Sequence, residues 1–382
     1  MKMPVMRIIC VAILILCCSA FADVTMFRGN PAHTGVIPDS PMPRPHKDWK
    51  WRFRTGNKVR STPAVVNGVA YFGSDDSYLY ALDVKTQELR WKFKTGAEVS
   101  SSPAVANGLV YFLSNDNTFY AVDVATGKQK WMITTGPELK NEIRWDYFIS
   151  SPTVADNTIY FGGSDGSVYA IDALKGTKKW TFKTTGKVRA SPSVADQTVF
   201  IGSMDGIMYA LHAATGELKW KFKCEGNEYF PIGEIQSSAA VADGGVFFGS
   251  RDGHIYALEQ ATGKLRWKKA LDNFSWVISS PAVADGLVVF GTSDQQSVDA
   301  HDAKTGERKW HHDVRVNVLG SPSISKGIVY IGDFYAIVKG LELQSGKPVT
   351  GVMIDDRVVS SPVLVDGVMY FGADDDYFYA VE

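Results

Sequence analysis

The chain has 382 residues, of which 45% are hydrophobic and 12% aromatic, and its formal net charge is −1 at pH 7. This composition can form a large buried core and excludes an intrinsically disordered chain. The nearly balanced charge, with no dominant basic patch, argues against nucleic acid as a partner.

The first 22 residues have the pattern of a secretory signal peptide. Lys2 and Arg7 precede an apolar run at residues 8–16, and the small-x-small sequence Ala20-Phe21-Ala22 follows. A membrane-spanning helix needs ~20 apolar residues, about twice the length of this run. We therefore expect cleavage near Ala22, a periplasmic or secreted protein, and no transmembrane segment in the mature chain.

Cleavage would also remove three of the four cysteines and leave Cys224. An intramolecular disulfide is then impossible, and a core of this size does not need one. Lipidation at Cys17 or Cys18 is the weaker alternative. A lipobox requires a small residue directly before the modified cysteine, whereas Leu16 and Cys17 occupy those places.

From Ser61 onward the chain repeats itself, and the repeat predicts the architecture. An opening of the Ser-Ser-Pro type recurs eight times at intervals of 40 to 49 residues; one of the two serines is replaced in three copies, and alanine replaces proline in a fourth. The marker positions are Pro63, Pro103, Pro152, Pro192, Ala239, Pro281, Pro322 and Pro362.

Each copy contains four short β-type runs separated by turn sequences. The stretch "SSAAVADGGVFFGSRDGHIYALEQATGKLRW" at 237 shows the order: a short run, an Asp-Gly turn, an alternating apolar run, a second Asp-Gly turn, a third run and a Thr-Gly turn. β-Branched and aromatic residues with frequent glycine argue against a helical solenoid. The fold class predicted is all-β, an eight-bladed β-propeller of four-stranded antiparallel blades.

The eighth copy ends at Glu382 after its third run, without a tryptophan-bearing fourth strand. The stretch "DWKWRFRTG" at 48–56 aligns with that strand, because Trp51 and Gly56 match Trp91 and Gly96 of the first copy. We therefore expect the N-terminal strand to pair with the C-terminal blade and close the ring. The predicted domains are a signal peptide at 1–22, an N-terminal extension at 23–45 and one propeller at 46–382.

The unit Tyr-Ala-Leu-Asp-x-x-Thr-Gly-x-x-x-Trp resembles the tryptophan docking motif of the PQQ-like repeat β-propeller family. The resemblance covers nearly all of the mature chain, and only the seventh copy departs from it, with Thr350 in place of tryptophan. The equivalent tryptophans are Trp51, Trp91, Trp131, Trp180, Trp220, Trp267 and Trp310.

Two branches of this family imply different functions. Quinoprotein alcohol dehydrogenases are longer enzymes that carry PQQ and calcium on the propeller axis, with a vicinal cysteine disulfide against the quinone. BamB-like propellers are cofactor-free scaffolds of outer-membrane protein assembly. The chain length and the single remaining cysteine are closer to the second branch, so no cofactor is expected; PQQ and calcium belong only to the alternative.

Residues that obey the repeat are expected to be structural. The tryptophans should pack between neighbouring blades. The carboxylates before the Thr-Gly turns, Asp83, Asp123, Asp172 and Asp302, should accept hydrogen bonds from the turn backbone. The chain has no nucleophile elbow, phosphate loop or His-Glu-x-x-His motif, and its histidines are dispersed, so we predict no catalytic or metal-binding residue.

Three insertions break the repeat, at residues 137–149, 227–236 and 272–278. Each connects the last strand of one blade to the first strand of the next, so all three lie on one face of the ring. They are rich in aromatic residues, which are overrepresented in binding hot spots. The candidate partner-binding residues are Trp145, Tyr147, Phe148, Tyr229, Phe230 and Trp276; alternatively, these side chains fold down over the blades.

A second asymmetric set lies just before each Ser-Ser-Pro opening. There an apolar residue, expected to be buried, separates two residues that point the other way, towards the channel mouth. The mouth should have an aromatic side and a basic side, and the basic side forms a candidate anion site. Its residues are Lys58, Arg60, Lys187, Arg189 and Arg357; a solvated charged rim is the alternative.

These features together predict an exported, monomeric, non-enzymatic scaffold that binds a protein partner through its inter-blade loops. Through the resemblance, the partner would belong to the outer-membrane assembly machinery. The alternatives are a PQQ- and calcium-dependent quinoprotein oxidoreductase and a propeller that binds a small molecule or glycan.

Overall fold

A computed structural model describes residues 23–37, 49–140, 149–272 and 275–382. These residues form eight separate four-stranded antiparallel sheets and contain no α-helix, which confirms the predicted all-β, eight-bladed propeller. None of the described segments is a helix long and apolar enough to cross a membrane. The predicted signal peptide lies outside the described residues.

The strands follow the chain around the ring, four to a blade. Blade 1 contains β2 (Ala64–Val66), β3 (Val69–Ser74), β4 (Tyr78–Asp83) and β5 (Leu89–Lys94), and blade 2 contains β6 (Ala104–Ala106), β7 (Leu109–Leu113), β8 (Thr118–Asp123) and β9 (Gln129–Thr134). Blade 3 contains β10 (Thr153–Ala155), β11 (Thr158–Gly162), β12 (Ser167–Asp172) and β13 (Lys178–Lys183). Blade 4 contains β14 (Ser193–Ala195), β15 (Thr198–Gly202), β16 (Ile207–His212) and β17 (Leu218–Lys223).

Blade 5 contains β18 (Ala240–Ala242), β19 (Gly245–Gly249), β20 (His254–Glu259) and β21 (Leu265–Ala270). Blade 6 contains β22 (Ala282–Ala284), β23 (Leu287–Gly291), β24 (Ser297–Asp302) and β25 (Arg308–Asp313). Blade 7 contains β26 (Ser323–Ser325), β27 (Ile328–Gly332), β28 (Ile337–Glu342) and β29 (Pro348–Met353). Blade 8 combines β30 (Val363–Val365), β31 (Val368–Gly372) and β32 (Tyr377–Val381) with β1 (Trp51–Arg54).

The N-terminal strand closes the ring as predicted. β1 pairs antiparallel with β32, with Trp51 opposite Ala380 and Arg54 opposite Tyr377. Arg52 ties this strand to blade 7 through Asp355 at 2.7 Å. The closed ring leaves no blade with a missing fourth strand, so the edge that β32 would expose is covered.

Tryptophan docking joins neighbouring blades, as the repeat predicted. The Trp180 Nε1 donates to the Ala213 carbonyl oxygen of the next blade at 2.8 Å, and the indole covers Gly216. Gly216 has φ +76°, and a Cβ there would lie 2.7 Å from the indole ring, so glycine is required. The same bond recurs from Trp91, Trp131, Trp220, Trp267 and Trp310.

The innermost strands are joined by a closed ring of hydroxyl groups. The second residue of each Ser-Ser-Pro opening accepts, through its side-chain oxygen, the backbone N–H of its counterpart in the preceding blade at 2.8–3.3 Å. We call these eight residues the hydroxyl ring: Thr62, Ser102, Ser151, Ser191, Ser238, Ser280, Ser321 and Ser361. The last of these bonds, from Ser361 to Thr62, joins blade 8 to blade 1.

Residues 23–37 cross one end of the axial channel and form what we call the plug. Their backbone carbonyls accept hydrogen bonds from the central N–H of six innermost strands at 2.6–2.9 Å. The donors are Val65, Val105, Val194, Val241, Val283 and Ile324. Unpaired strand edges would otherwise face the channel, and the plug satisfies them. The described part of the predicted extension therefore packs within the ring, whereas the boundary at residue 46 lies outside the described residues.

Two basic side chains of the plug, Arg28 and His33, are buried. Arg28 donates to the Pro281 carbonyl oxygen at 2.8 Å, and burial lowers the pKa of Arg28 to about 9. A Cβ at Gly35, which has φ +70°, would meet the Arg28 guanidinium at 2.0 Å. The His33 Nε2 lies 2.8 Å from Thr153 Oγ1. Burial, followed by the charge of Arg28, lowers the pKa of His33 to about 3, so its imidazole is neutral.

We expect ring closure and the plug to contribute separately to stability. A chain that begins at residue 49 lacks the plug but keeps β1, whereas a chain that begins at Gly56 lacks both and exposes the edge of β32. The urea midpoint should fall for the first truncation and fall further for the second, with broadened unfolding. Equal midpoints for the two truncations would show that β1 does not stabilise blade 8.

His33 should make the fold sensitive to acid. Its pKa is about 6.5 in an unfolded chain and about 3 in the fold, so the stability linked to it is complete above pH 6.5 and is lost as the pH falls towards 3. We expect the free energy of unfolding to drop by up to about 1.4 kcal/mol per pH unit across this range. His33→Gln should remove that component in urea titrations from pH 8 to 4.

His254→Gln is a control with the opposite sign. A hydrogen bond with Asp252 raises the pKa of His254, so its contribution to stability is present at low pH and is lost as the pH rises through the folded value. An unchanged pH profile in His33→Gln would contradict the role of His33.

Candidate functional site

The two ends of the propeller axis differ. One face carries the connectors between blades and the turns between the second and third strands of each blade; we call it the connector face. The plug closes the channel near the opposite face. Between them lies an axial cavity of about 50 Å³, with Phe27 of the plug and the hydroxyl ring in its walls. Towards the connector face its lining is Arg60, Ser100, Ile149, Arg189, Gln236, Ile278, Leu319 and Val359.

A larger cavity opens beside the axis on the connector face, and we call it the mouth pocket. Its volume is about 370 Å³, within the range of small-molecule and side-chain sites. It shares four lining residues with the axial cavity: Arg60, Ile278, Leu319 and Val359. The rest of its wall comes from Trp276, Ser293, Asp294, Asn317, Phe334, Arg357 and Asp374.

The aromatic candidate residues differ in where they lie in the structure. Trp145, Tyr147 and Phe148 lie outside the described residues. Tyr229 is 66% exposed on the connector between blades 4 and 5. Phe230 packs edge to face against Trp276, with ring centroids 5.0 Å apart, so these two side chains also cap the fold.

The connector that carries Tyr229 has an ordered backbone. Asn227 Oδ1 accepts the N–H groups of Tyr229 and Phe230, at 2.9 and 2.6 Å. The Gly233 N–H donates to the Phe230 carbonyl oxygen at 3.0 Å. This local hydrogen bonding orders the backbone that presents Tyr229, which reduces the entropy that a partner contact would cost.

The Trp276 ring packs against the guanidinium group of a buried arginine, Arg251. Arg251 is fully buried, its guanidinium lies 5.1 Å from the Trp276 ring centroid, and it donates to Gln236 Oε1 at 2.7 Å. Cation–π contacts of this kind are strongest when they are desolvated. The chain from Phe230 through Trp276 and Arg251 to Gln236 therefore connects the mouth pocket to the axial cavity.

The basic candidates carry acidic partners that the sequence did not reveal. Arg60 binds Asp374 through two hydrogen bonds of 2.9 and 3.0 Å, and Lys58 lies 3.8 Å from the same carboxylate. Asp75 lies 3.6 Å from Arg60, and burial raises the pKa of Asp75 to about 6 although Arg60 opposes the shift. Around Arg60, the positive charge is balanced by carboxylates.

The second pair of cations lies three blades away. Lys187 and Arg189 both contact Glu138, at 2.6 and 2.9 Å, and Arg189 also donates to Ser164 at 2.7 Å. Burial opposes ionisation of Glu138, but the Lys187 hydrogen bond and the Arg189 charge hold its pKa below the usual value. Arg357 lines the mouth pocket together with Arg60, so the five basic candidates form two groups around the axis rather than one basic side.

Arg357 completes the set at the mouth pocket. Its guanidinium lies 5.1 Å from the Phe334 ring centroid, and its Nε is 3.9 Å from Asp356. Phe334, Asp294 and Asp374 are pocket residues that the sequence reasoning missed. All three come from turns between second and third strands, which by repeat symmetry lie on the same face as the connectors; that symmetry was the available signal.

The described residues do not match a quinone and calcium site of the kind that the resemblance implies. They include no group of three histidine, cysteine or acidic side chains placed to hold a metal ion. Cys224 lies between Lys223 and Glu225, so it has no adjacent cysteine with which to form a vicinal disulfide against a quinone. Asp294 and Asp374 balance Arg60 and Arg357 in the wall of the mouth pocket, so the wall has no excess positive charge with which to bind the carboxylates of PQQ.

Solved structures of both functional branches share this fold. BamB from Moraxella catarrhalis matches with 17% identity and a TM-score of 0.74, covering 87% of this chain and 98% of that one. A europium-containing methanol dehydrogenase gives 15% identity, a TM-score of 0.77 and coverages of 94% and 89%. The quinohemoprotein alcohol dehydrogenase of Comamonas testosteroni gives 15%, 0.80, and 94% and 80%.

At these identities the structural matches show the fold alone, and no curated protein matches the chain in sequence. The model of one protein family, by contrast, matches most of the chain. Its matched segments are residues 49–144, 134–241 and 230–374. The chain therefore belongs to the family of the outer membrane protein assembly factor BamB.

Proposed function

We propose that this protein is an exported, non-enzymatic scaffold that binds a protein partner on its connector face during outer-membrane protein assembly. The observation that carries the proposal is the mouth pocket, with Trp276 and Phe334 in its wall and Tyr229 exposed on a neighbouring connector. The family match supports the assembly role and a periplasmic, outer-membrane-associated location.

The shape and chemistry of the pocket favour recognition of an apolar side chain from a partner. Trp276, Phe334, Ile278, Leu319 and Val359 give it an apolar surface. The polar side chains of its wall include the pair of Arg60 with Asp374, the hydrogen-bonded Ser293 and Asp294, and the amide of Asn317. Concave aromatic sites that exclude water contribute most of the affinity in protein interfaces. The paired cations make charge a smaller part of this recognition.

The aromatic residues supply the first test. Tyr229→Ala should weaken co-purification with the outer-membrane assembly machinery by about 30-fold, which corresponds to a hot-spot loss of about 2 kcal/mol. The thermal unfolding midpoint should stay unchanged because Tyr229 is largely exposed. Phe334→Ala tests the pocket wall in the same assay.

Leu174→Ala is the matched control, because Leu174 is 58% exposed in a turn of the opposite face. It should leave the complex intact. Retention of every partner by Tyr229→Ala and Phe334→Ala, or an equal loss in Leu174→Ala, would exclude the mouth region of the connector face as the binding site.

The second candidate, a quinoprotein oxidoreductase, has the structural matches to dehydrogenases in its favour. Purified protein mixed with PQQ and Ca²⁺ should show neither bound-quinone absorbance nor dye-linked alcohol oxidation, because the described residues do not suit that cofactor. Either signal would overturn the non-enzymatic proposal.

A further inference from the structure

The hydroxyl ring presents eight donors that no protein group accepts among the residues described. Each side-chain oxygen accepts a backbone N–H from the preceding blade, while its own O–H proton has no acceptor. All eight residues line the axial cavity and are at least nine-tenths buried. Buried hydroxyl protons require a partner, so the cavity must contain acceptors.

Gln236 adds an oriented donor to the same cavity. Its Oε1 accepts from Arg251, and arginine can only donate, so the amide orientation is fixed. The Nε2 group is then directed away from Arg251, and it has no hydrogen-bond partner in the described part of the chain, although Gln236 is only 5% exposed. The amide of Gln236 thus provides an oriented hydrogen-bond donor in the cavity wall.

The charge of the lining selects the sign of the ligand. Arg60 and Arg189 line the cavity, whereas their carboxylate partners Asp374 and Glu138 do not, and no other acidic residue is among the described lining residues. Asp374 and Glu138 balance the charge of the two guanidinium groups from outside the cavity, so a cation inside it would meet N–H and O–H donors without a carboxylate ligand. An anion would accept hydrogen bonds from the ring, the amide and the guanidinium groups together.

The volume of the axial cavity limits the size of the ligand that it can hold. About 50 Å³ corresponds to roughly three to five waters at 10–15 Å³ each, which excludes an organic ligand. We propose that the axial cavity binds one small monovalent anion of the halide class, together with a few waters. Phe27 closes the cavity on the plug side, so the anion enters from the mouth pocket.

Bromide provides the direct test. A crystal of the plug-containing protein grown with bromide should show an anomalous peak on the axis, within hydrogen-bond distance of Gln236 Nε2 and of hydroxyl-ring oxygens. In solution, the unfolding midpoint should rise and saturate with chloride or bromide when gluconate keeps the ionic strength constant. A cavity that contains only water, with no halide-specific shift, would overturn the proposal.

Gln236→Glu tests the site with a nearly isosteric change. The new carboxylate can still accept from Arg251, but it places a negative charge in the cavity wall, so the apparent halide affinity should fall at least tenfold. Gln129→Glu adds the same charge on an exposed strand and should retain the wild-type response. An equal halide response in both variants would also overturn the proposal, whatever partner the connector face binds.

Discussion

The polar groups around the propeller axis are the constraint on which the structure depends. Eight strands of three residues meet there, and each has an edge with no neighbouring strand. The hydroxyl ring satisfies one N–H per blade, and the plug satisfies a second in six blades. The hydroxyl ring requires all eight blades to be in place, since it closes on Thr62, and the plug bonds to six blades between Val65 of blade 1 and Ile324 of blade 7. Ring closure and burial of the polar edges are therefore coupled.

This constraint divides the residues into two classes. The docking tryptophans, the glycines beneath them and the hydroxyl ring must repeat, because each joins one blade to the next. The side chains on the connector face make contacts that differ from one blade to the next, such as the pair of Arg60 with Asp374, so these positions do not follow the repeat. Trp276, Phe334 and Tyr229 belong to this second class, and an asymmetric partner needs such a surface.

The sequence predicted the features that repeat. Trp51 and Gly56 identified the displaced fourth strand because their spacing matched the other blades, and β1 pairs with β32 accordingly. The hydroxyl ring had a signal too: Ser238 retains its hydroxyl where Ala239 replaces the proline. The plug had none, because its bonds to six blades come from backbone carbonyls of a segment without periodicity.

Long-range pairs explain the other difference between sequence and structure. Arg60 and Asp374 are 314 residues apart, and only the closed ring brings them together. A pattern of cations at the blade openings therefore suggested a basic surface, whereas a turn of blade 8 and the connector between blades 2 and 3 supply carboxylates to most of it. Charge at the mouth depends on tertiary structure and cannot be read from one segment.

Arg60 also determines how the two cavities relate. It lines both the mouth pocket and the axial cavity, and its bidentate pair with Asp374 fixes the guanidinium plane between them. Ile278, Leu319 and Val359 form the rest of the shared wall and have no polar atoms with which to respond to a ligand. Arg60 is consequently the charged side chain common to the described linings of both cavities, and its ion pair with Asp374 is part of the wall between them.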